Sequence, residues 1–276
     1  MLLRTITGFI MLAALIAILF IGEIALGVVV AFFTIIGIKE LYNVTETGGN
    51  KPVKWVSFLF AIPVILYSLD SRLNYFSVSV YCIAAIVFFI CILKNEKYTV
   101  VDAIITLISG IVVSNMFFCI LAIYKVGDTK AKSAMVLVLI LIGACVTDVF
   151  AYLVGVTIGK HKLCPAISPK KSIEGSIGGM LGVTIAMAGF GYFVLNKNVE
   201  EFAKIPIYAY IILGLICGVV SQIGDLAASM IKRYYNIKDF GKIFPGHGGI
   251  LDRFDSFTFV APVIYFFVMS APVIFK

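Results

Sequence analysis

Residues 74–93 read NYFSVSVYCIAAIVFFICIL, a run of twenty residues that contains no charged side chain. A helix needs about 20 predominantly apolar residues to cross the hydrocarbon core of a bilayer. Because backbone amides in lipid must be satisfied within the segment, such a run predicts a transmembrane α-helix. Its continuous apolar character also excludes the strand of a membrane β-barrel, in which apolar and polar residues alternate.

Runs of this kind recur along the whole chain. Of its 276 residues, 61% are hydrophobic and 13% are charged, whereas soluble domains have about 45–50% apolar and about 25% charged residues. We therefore predict an all-α, polytopic transmembrane protein with about nine spans, of which the third is short and interrupted by Pro63. The predicted limits are 5–21, 24–42, 55–69, 74–93, 101–124, 133–158, 176–196, 205–231 and 255–274. The first run resembles a signal peptide, but no small-x-small cleavage site follows it, so we expect a membrane anchor.

The formal net charge of the chain is +7. A basic chain can bind nucleic acid, but in a membrane protein Lys and Arg mark cytoplasmic loops and meet anionic lipid head groups. We therefore predict the lipid bilayer as a partner and no nucleic acid. Placing the N-terminus and the loops after spans 2, 4, 6 and 8 on one side puts 15 of the 22 Lys and Arg residues there. That side is predicted to be the cytoplasmic face of the cell's inner membrane.

Chemically unusual residues are concentrated in the second half of the chain. We predict an N-terminal region of transmembrane helices, 1–140, and a C-terminal transmembrane region with cytoplasmic loops, 141–276, which carries the chemistry. The second region holds both histidines, His161 and His247. Five of the six cysteines lie inside apolar runs and none forms a CxxC pair, so neither a disulfide framework nor a zinc site is indicated.

The first polar block, 148–179, begins with Asp148 inside the sixth predicted span. An ionisable group inside a membrane is costly, so Asp148 is expected to face a cavity or a cation. The alternative is an Asp near a helix end that pairs with a loop Lys. A dense basic loop follows, which the bias toward positive cytoplasmic loops would also explain: Lys160, Lys162, Lys170 and Lys171. The glycines where the chain re-enters the membrane allow either close approach to a ligand or tight helix packing: Gly175, Gly178 and Gly179.

The second polar block, 221–256, places acidic and basic side chains at helical spacing. One face at the cytoplasmic end of span 8 is predicted to carry Asp225, Ser229 and Lys232 or Arg233. Asp252 and Asp255 are three residues apart and would share a face where span 9 begins. Carboxylates from two helices suit Mg²⁺, which takes one or two of them and leaves the rest of its shell to substrate phosphates. Interaction with the helix dipole is the alternative for Asp252 and Asp255.

Between these carboxylates lies the segment P-G-H-G-G, residues 245–249. Its glycines predict an exposed backbone with free amides, and such a loop before a helix N-terminus suits phosphate oxygens. A Gly-rich loop alone is weak evidence, but three cations lie close to it in sequence: Lys238, Lys242 and Arg253. His247 can donate to a phosphate or ligate a metal, although zinc is not supported because His and Cys partners are lacking nearby. The combination indicates phosphoryl or nucleotidyl transfer, which depends mainly on positioning and charge neutralisation.

The segment 229–255, SMIKRYYNIKDFGKIFPGHGGILDRFD, resembles the phosphatidate cytidylyltransferase (CDP-diacylglycerol synthase) family. The family pattern has Ser, Lys-Arg, Lys-Asp, Pro-x-His-Gly-Gly and Asp-Arg-x-Asp at fixed spacings, and this sequence fills each position. The upstream stretch SPKKSIEG, 168–175, is similar too, with Ser172 where the family usually has Thr.

The resemblance implies an enzyme of phospholipid biosynthesis in which phosphatidate attacks the α-phosphorus of CTP, giving CDP-diacylglycerol and pyrophosphate at the cytoplasmic face. It further implies Mg²⁺, often K⁺ as well, and a homodimer. By resemblance the metal ligands are Asp225 and Asp252, with Asp255 and Asp148 as further candidates. The other catalytic candidates are Lys232, Arg233 and His247. The candidate substrate-binding residues are Ser229, Lys170, Lys171, Lys238, Lys242, Gly248, Gly249 and Arg253.

Three other interpretations are open from the sequence. A related lipid cytidylyltransferase or a CTP-dependent polyprenol kinase would share the site and differ in the acceptor. An ion-coupled transporter would use Asp148 and Asp225 as ion sites, but it predicts inverted repeats, which the sequence does not show. A purely structural membrane scaffold leaves the P-G-H-G-G and D-R-F-D segments unexplained.

Overall fold

The computed structural model describes residues 21–72 and 76–275, together with residues 13, 17 and 18. Its helices in chain order are α1 (Glu23–Thr47), α2 (Val56–Leu59), α3 (Ile62–Leu69), α4 (Phe76–Leu93), α5 (Val100–Tyr124), α6 (Lys130–Leu141), α7 (Thr147–Ile158), α8 (Ile173–Phe190), α9 (Asn196–Asn198), α10 (Ile207–Tyr234), α11 (Leu251–Phe254) and α12 (Phe257–Ile274). One π-helical turn joins α6 to α7 (Ile142–Val146), another follows α8 (Gly191–Leu195), and a 3₁₀ turn follows α9 (Glu200–Phe202). Two short strands, β1 (Lys162–Cys164) and β2 (Ser168–Ser172), pair as an antiparallel hairpin.

Seven helical segments among the described residues are long and apolar enough to cross a membrane, which confirms the predicted all-α polytopic class. They are Glu23–Thr47, Phe76–Leu93, Val100–Tyr124, Lys130–Ile158, Ile173–Asn198, Ile207–Tyr234 and Phe257–Ile274. Each coincides with a predicted span to within a few residues. The first predicted span, 5–21, lies almost entirely outside the described residues.

The third predicted span, 55–69, is a broken helix rather than one continuous helix. It divides into α2 and α3, with Pro63 in the first turn of α3. At about 1.5 Å per residue this segment covers roughly 21 Å, less than the roughly 30 Å of a hydrocarbon core. It nevertheless runs alongside α1. Just before α2, the Val53 amide donates to Thr106 Oγ1, and the carbonyl oxygen of the same Thr106 accepts from the Tyr42 hydroxyl of α1. At the other end of the segment, Ser68 of α3 packs against Gly27 of α1. The count of nine spans stays a prediction.

The chain forms two compact units, and each is discontinuous in sequence. The first comprises Met1–Leu121 and Lys232–Phe254, and the second comprises Ala122–Ile231 and Asp255–Lys276. The Gly-rich segment therefore belongs to the same unit as the N-terminal helices. The predicted division at residue 140 followed polarity along the chain rather than compactness, and it stays a prediction.

Aromatic side chains hold the first unit together. Phe60 lies so close to Gly110 of α5 that a Cβ at that glycine would collide with the ring. Phe254, the last residue of α11, contacts Phe33 of α1 and Phe117 of α5, with ring centroids 6.0 Å and 5.3 Å away. This cluster fixes the end of the segment 232–254 against the first unit's long helices.

Glycines allow α7 and α8 of the second unit to pack closely. A Cβ at Gly178 would lie 2.5 Å from the side chain of Val154, and one at Gly179 would lie 2.8 Å from the carbonyl oxygen of Thr147. A Cβ at Gly175 would lie 3.0 Å from the Cα of Gly155. Tight helix packing, one of the two roles that the sequence left open for these three glycines, is therefore confirmed.

Candidate active site

The second unit presents Asp148 just after an irregular turn of helix. The π-helical turn Ile142–Val146 inserts an extra residue before α7, and such turns are frequent at functional sites because they redirect the side chains that follow. The Thr147 hydroxyl donates to the carbonyl oxygen of Gly143 at 2.7 Å, a bond that spans the irregular turn. The Asp148 carboxylate accepts a hydrogen bond from Ser256 Oγ at 3.1 Å.

The predicted basic loop is a β-hairpin that carries Lys170 and Lys171 on β2. Ser172 ends β2 and caps α8, because its hydroxyl accepts from the Gly175 amide at 3.2 Å. At the base of the hairpin, the Glu174 carboxylate accepts from the His161 amide at 3.2 Å and contacts the ring Nδ1 of His161 at 2.6 Å. The hairpin thus has a fixed position relative to the first turn of α8.

A cavity of about 440 Å³ lies between the hairpin and helices α7, α8 and α10 of this unit. Its lining residues are Asp148, Ala151, Tyr152, Gly155, Val156, Lys162, Leu163, Lys170, Lys171, Ser172, Gly175, Ser176, Gln222 and Asp225. Lys171 forms an ion pair with Asp225, and both charged groups act electrostatically on Asp148. The expectation that Asp148 faces a cavity is therefore confirmed. Two carboxylates and three lysines beside an apolar wall can hold a cation and phosphate oxygens next to a lipid chain.

Gln222 also lines the cavity, although the sequence did not single it out. Its side-chain amide donates to the carbonyl oxygens of Ser176, at 3.1 Å, and Gly218, at 2.9 Å. It thereby joins α10 to α8 one turn before Asp225. A polar residue in an apolar helix was the signal that could have identified it.

In the first unit, Asp252 organises the segment 232–254. Its side chain is only 3% exposed. Oδ2 accepts from the amides of Phe240, at 2.8 Å, and Gly249, at 2.9 Å, while Oδ1 accepts from Lys232 Nζ at 3.1 Å. Lys232 is 15% exposed and also lies over the Phe240 ring, 5.2 Å from its centroid. Asp252 therefore ties Phe240, which precedes the Gly-rich segment, and Gly249, its last residue, to Lys232 near the end of α10.

The loop itself is a tight turn closed by Phe244 and Gly248. Their backbones exchange hydrogen bonds of 2.9 and 3.1 Å, and the His247 amide also donates to Phe244 O. Gly246 and Gly248 have φ of 77° and 85°, which favour glycine. The amides of Gly248 and Gly249 both donate within the unit, so the predicted free amides are wrong for these two glycines. The substrate-binding role of the loop stays a prediction.

Glu40 of α1 is a buried carboxylate that the sequence reasoning missed. It is 5% exposed, and its two oxygens accept from the amides of Ile250 and Leu251, each at 3.0 Å. It therefore supports the start of α11 directly beside Asp252. The rule that drew attention to Asp148, an ionisable residue within a predicted span, applied equally to Glu40.

The chain as a whole is similar to known proteins. The sequence model described as "Cytidylyltransferase family" matches residues 2–271. This chain belongs to that family. Phosphatidate cytidylyltransferases of Staphylococcus aureus (strain COL) and Staphylococcus haemolyticus (strain JCSC1435) are 34% and 33% identical to it, over 95% of this chain and 96% of each relative. One from Bacillus subtilis (strain 168) is 50% identical over 129 residues, 45% of each chain.

Membership of the cytidylyltransferase family confirms the resemblance drawn from the sequence. The other residues predicted for the site of this family member lie on or next to the segment 232–254 in sequence. Four cations are exposed on or next to the segment 232–254: Arg233, Lys238, Lys242 and Arg253. Ser229 and His247 are half-buried, and Asp255 accepts from the Ser256 amide at 2.8 Å. Asp225 belongs to the second unit and Asp252 to the first, and their metal-binding roles stay predictions.

Proposed function

We propose that this protein transfers the cytidylyl group of CTP to phosphatidate, forming CDP-diacylglycerol and releasing pyrophosphate, as a step of phospholipid biosynthesis. The observation that carries the proposal is the match to the cytidylyltransferase family over residues 2–271. The relatives named as phosphatidate cytidylyltransferases specify the lipid acceptor, and they align over nearly their whole length. The transmembrane helices and the charged cavity fit an enzyme with one lipid and one nucleotide substrate.

The reaction exchanges one bond to phosphorus for another. An oxygen of the phosphatidate phosphate attacks the α-phosphorus of CTP, and the bond from that phosphorus to the oxygen bridging to the β-phosphorus breaks. Pyrophosphate leaves with that oxygen. Because the nucleophile is already an anion, a general base is not required. The protein must instead align the phosphates and neutralise their charge.

The cavity of the second unit fits a divalent cation. Asp148 and Asp225 both line it, and the ammonium group of Lys171 pairs with Asp225, which supports a role for this carboxylate in holding a positive charge. The described residues contain no cluster of three or more His, Cys, Asp or Glu side chains that could hold a metal. Mg²⁺ does not need such a cluster, because it commonly uses one or two carboxylates together with substrate phosphates and water.

We therefore infer that Asp225 holds Mg²⁺ with Asp148. When bound, Mg²⁺ would neutralise charge on the phosphates and on the leaving pyrophosphate. Asp252, which the resemblance names as a metal ligand together with Asp225, and Asp255 also stay proposed ligands, although Asp252 already accepts three hydrogen bonds within its own unit. A K⁺ requirement is proposed on the family resemblance alone, and omission of K⁺ from the assay tests it.

Lysine side chains supply the phosphate contacts in this proposal. Lys162, Lys170 and Lys171 line the cavity, where their charges can bind the oxygens of phosphatidate or CTP. The apolar wall that Tyr152, Val156 and Leu163 provide suits the acyl chains. We further propose that the basic loops face the cytoplasm, where CTP is available, and that the protein is a homodimer. Labelling the introduced cysteines of Lys97→Cys and Lys130→Cys from either side of the membrane tests the orientation. Cross-linking in membranes tests the homodimer.

The activity test uses purified protein with CTP and Mg²⁺ and a panel of acceptors: phosphatidate, other lipid phosphates and a polyprenol. Pyrophosphate release with phosphatidate is expected. Transfer to another acceptor alone would move the assignment to a related lipid cytidylyltransferase or a polyprenol kinase. Asp225→Asn should abolish release while the protein remains folded. Asp128→Asn is the matched control, because Asp128 lies in the same unit, is 67% exposed and pairs with Lys132 of its own segment.

A further inference from the structure

We propose that Glu40 is a positioning residue for the transfer reaction, which holds the Gly-rich loop and the D-R-F-D segment in the conformation that binds CTP. This inference rests on the proposed function. It begins from an unusual contact: a carboxylate in α1 binds two consecutive amides that follow it by 210 and 211 residues. One oxygen serves each amide, so the plane of the carboxylate fixes the direction of the chain at Ile250 and Leu251.

The loop is built closely around this carboxylate. Gly241 precedes the P-G-H-G-G turn and Gly249 ends it. A Cβ at Gly241 would lie 2.7 Å from Glu40 Cδ, and a Cβ at Gly249 would lie 2.6 Å from the same atom. The chain on both sides of the turn, at Gly241 and Gly249, therefore lies against Glu40, and a side chain at either glycine would displace the chain from it.

Glu40 and Asp252 act on adjoining amides. Asp252 accepts from Gly249, and Glu40 accepts from Ile250 and Leu251, so three consecutive amides donate to two buried carboxylates. The chain on either side of these amides carries His247 and Arg253. Their side chains can only be directed consistently if the backbone between them is fixed.

The charge of Glu40 argues against a role in stability alone. Within the described part of the chain Glu40 has no ion-pair partner, and Asp252 is a neighbouring anion that acts on it electrostatically. Burying a carboxylate without a cationic partner is costly, and here two backbone amides compensate for that cost. A carboxylate is needed, however, if both amides are to be held at once. Glutamine offers one acceptor oxygen, and its NH₂ group would oppose the second amide.

The decisive comparison is Glu40→Gln with wild type. Misplacement of a reacting group by about 1 Å can cost about 100-fold in rate. We expect Glu40→Gln to lower kcat/KM for CTP by about that factor, with a raised KM for CTP, while KM for phosphatidate stays within about twofold. A purely structural role would reduce the amount of folded enzyme without moving KM for CTP. Glu40→Asp keeps the carboxylate and should recover part of the loss.

Glu46→Gln is the matched control, since Glu46 lies on the same helix but is 39% exposed and pairs with Lys54. A second readout is independent of turnover: amide hydrogen exchange in the peptide 240–254 should be faster in Glu40→Gln and unchanged in Glu46→Gln. If Glu40→Gln does not fold, Gly241→Ala tests the same contact from the loop, with the same two expected changes.

The outcomes separate this inference from the proposed function. A wild-type enzyme that does not act on phosphatidate would overturn the proposed function, and hydrogen exchange would still report on Glu40. If wild type is active and Glu40→Gln keeps its kcat/KM and KM for CTP, Glu40 is not a positioning residue. Unchanged exchange at 240–254 in both Glu40→Gln and Gly241→Ala would equally refute the contact.

Discussion

Replacing Asp252 with Asn separates two roles for this residue, a metal ligand and the organiser of the loop. The carboxylate accepts from the amides of Phe240 and Gly249 and from Lys232 Nζ, and its side chain is 3% exposed. In Asp252→Asn, one oxygen can still accept from the two amides, but as a neutral group. The NH₂ group then faces the ammonium of Lys232, which loses its partner.

The cost follows from these three bonds. A hydrogen bond to a charged group contributes about 1.5–3 kcal/mol and a neutral one about 0.5–1.5 kcal/mol, so weakening two bonds costs roughly 2 kcal/mol. Leaving a buried charge without its partner costs about 3–5 kcal/mol, which we reduce to roughly 2 kcal/mol because Lys232 is 15% exposed. The total is about 4 kcal/mol. For a chain of this size that corresponds to a fall in Tm of roughly 8–16 °C.

Thermal unfolding in detergent, followed by circular dichroism, measures this change. The double variant Lys232→Met/Asp252→Asn removes the unpaired ammonium and should regain about half of the lost stability without regaining turnover. Asp128→Asn should unfold with wild type. If Asp252→Asn loses turnover but has a Tm within about 2 °C of wild type, the three hydrogen bonds of Asp252 do not hold the loop. The metal-ligand role alone would then account for the lost turnover.

Two further predictions concern the second unit. Lys171→Met removes the ammonium that pairs with Asp225 in the cavity. We expect kcat/KM for CTP to fall about 10–100-fold, equivalent to about 1.4–2.7 kcal/mol of transition-state stabilisation. Steady-state kinetics measure this change, and unchanged kinetics would exclude Lys171 from phosphate binding. Gly179→Leu forces side-chain atoms toward the carbonyl oxygen of Thr147 and should destabilise the α7–α8 contact by at least about 1–3 kcal/mol. Gly189→Leu is its control in thermal unfolding, because a Cβ there meets no atom within 4 Å, and equal Tm values for the two variants would contradict the packing role.

Local properties of the chain were predictable because they depend on residues close in sequence. Apolar runs of sufficient length predicted the transmembrane helices, and seven of them recur among the residues that the structure describes. The apolar run predicted as span 8 correctly placed Asp225 and Ser229 on α10. The cost of a charge in an apolar helix correctly directed Asp148 to a cavity, where Lys170, Lys171 and Asp225 join it.

Contacts between distant residues were not predictable in this way. The link from Glu40 to Ile250 and Leu251 joins residues more than 200 positions apart, and no spacing rule relates them. For the same reason the sequence assigned the Gly-rich segment to the C-terminal region, whereas it packs within a unit that includes the N-terminal helices. The free amides expected at Gly248 and Gly249 were wrong because their acceptors, Phe244 O and Asp252, depend on how the turn closes.

The sequence by itself determined that this protein is a helical membrane enzyme of the cytidylyltransferase family, because hydrophobic length and motif spacing are properties of contiguous residues. Only the tertiary structure decided what the glycines and buried carboxylates do. A glycine serves a ligand, a turn or a helix contact according to the atom that its missing Cβ would meet, and that atom belongs to another segment. A buried carboxylate needs donors, and for Glu40 these donors are backbone amides, which carry no signature in the sequence.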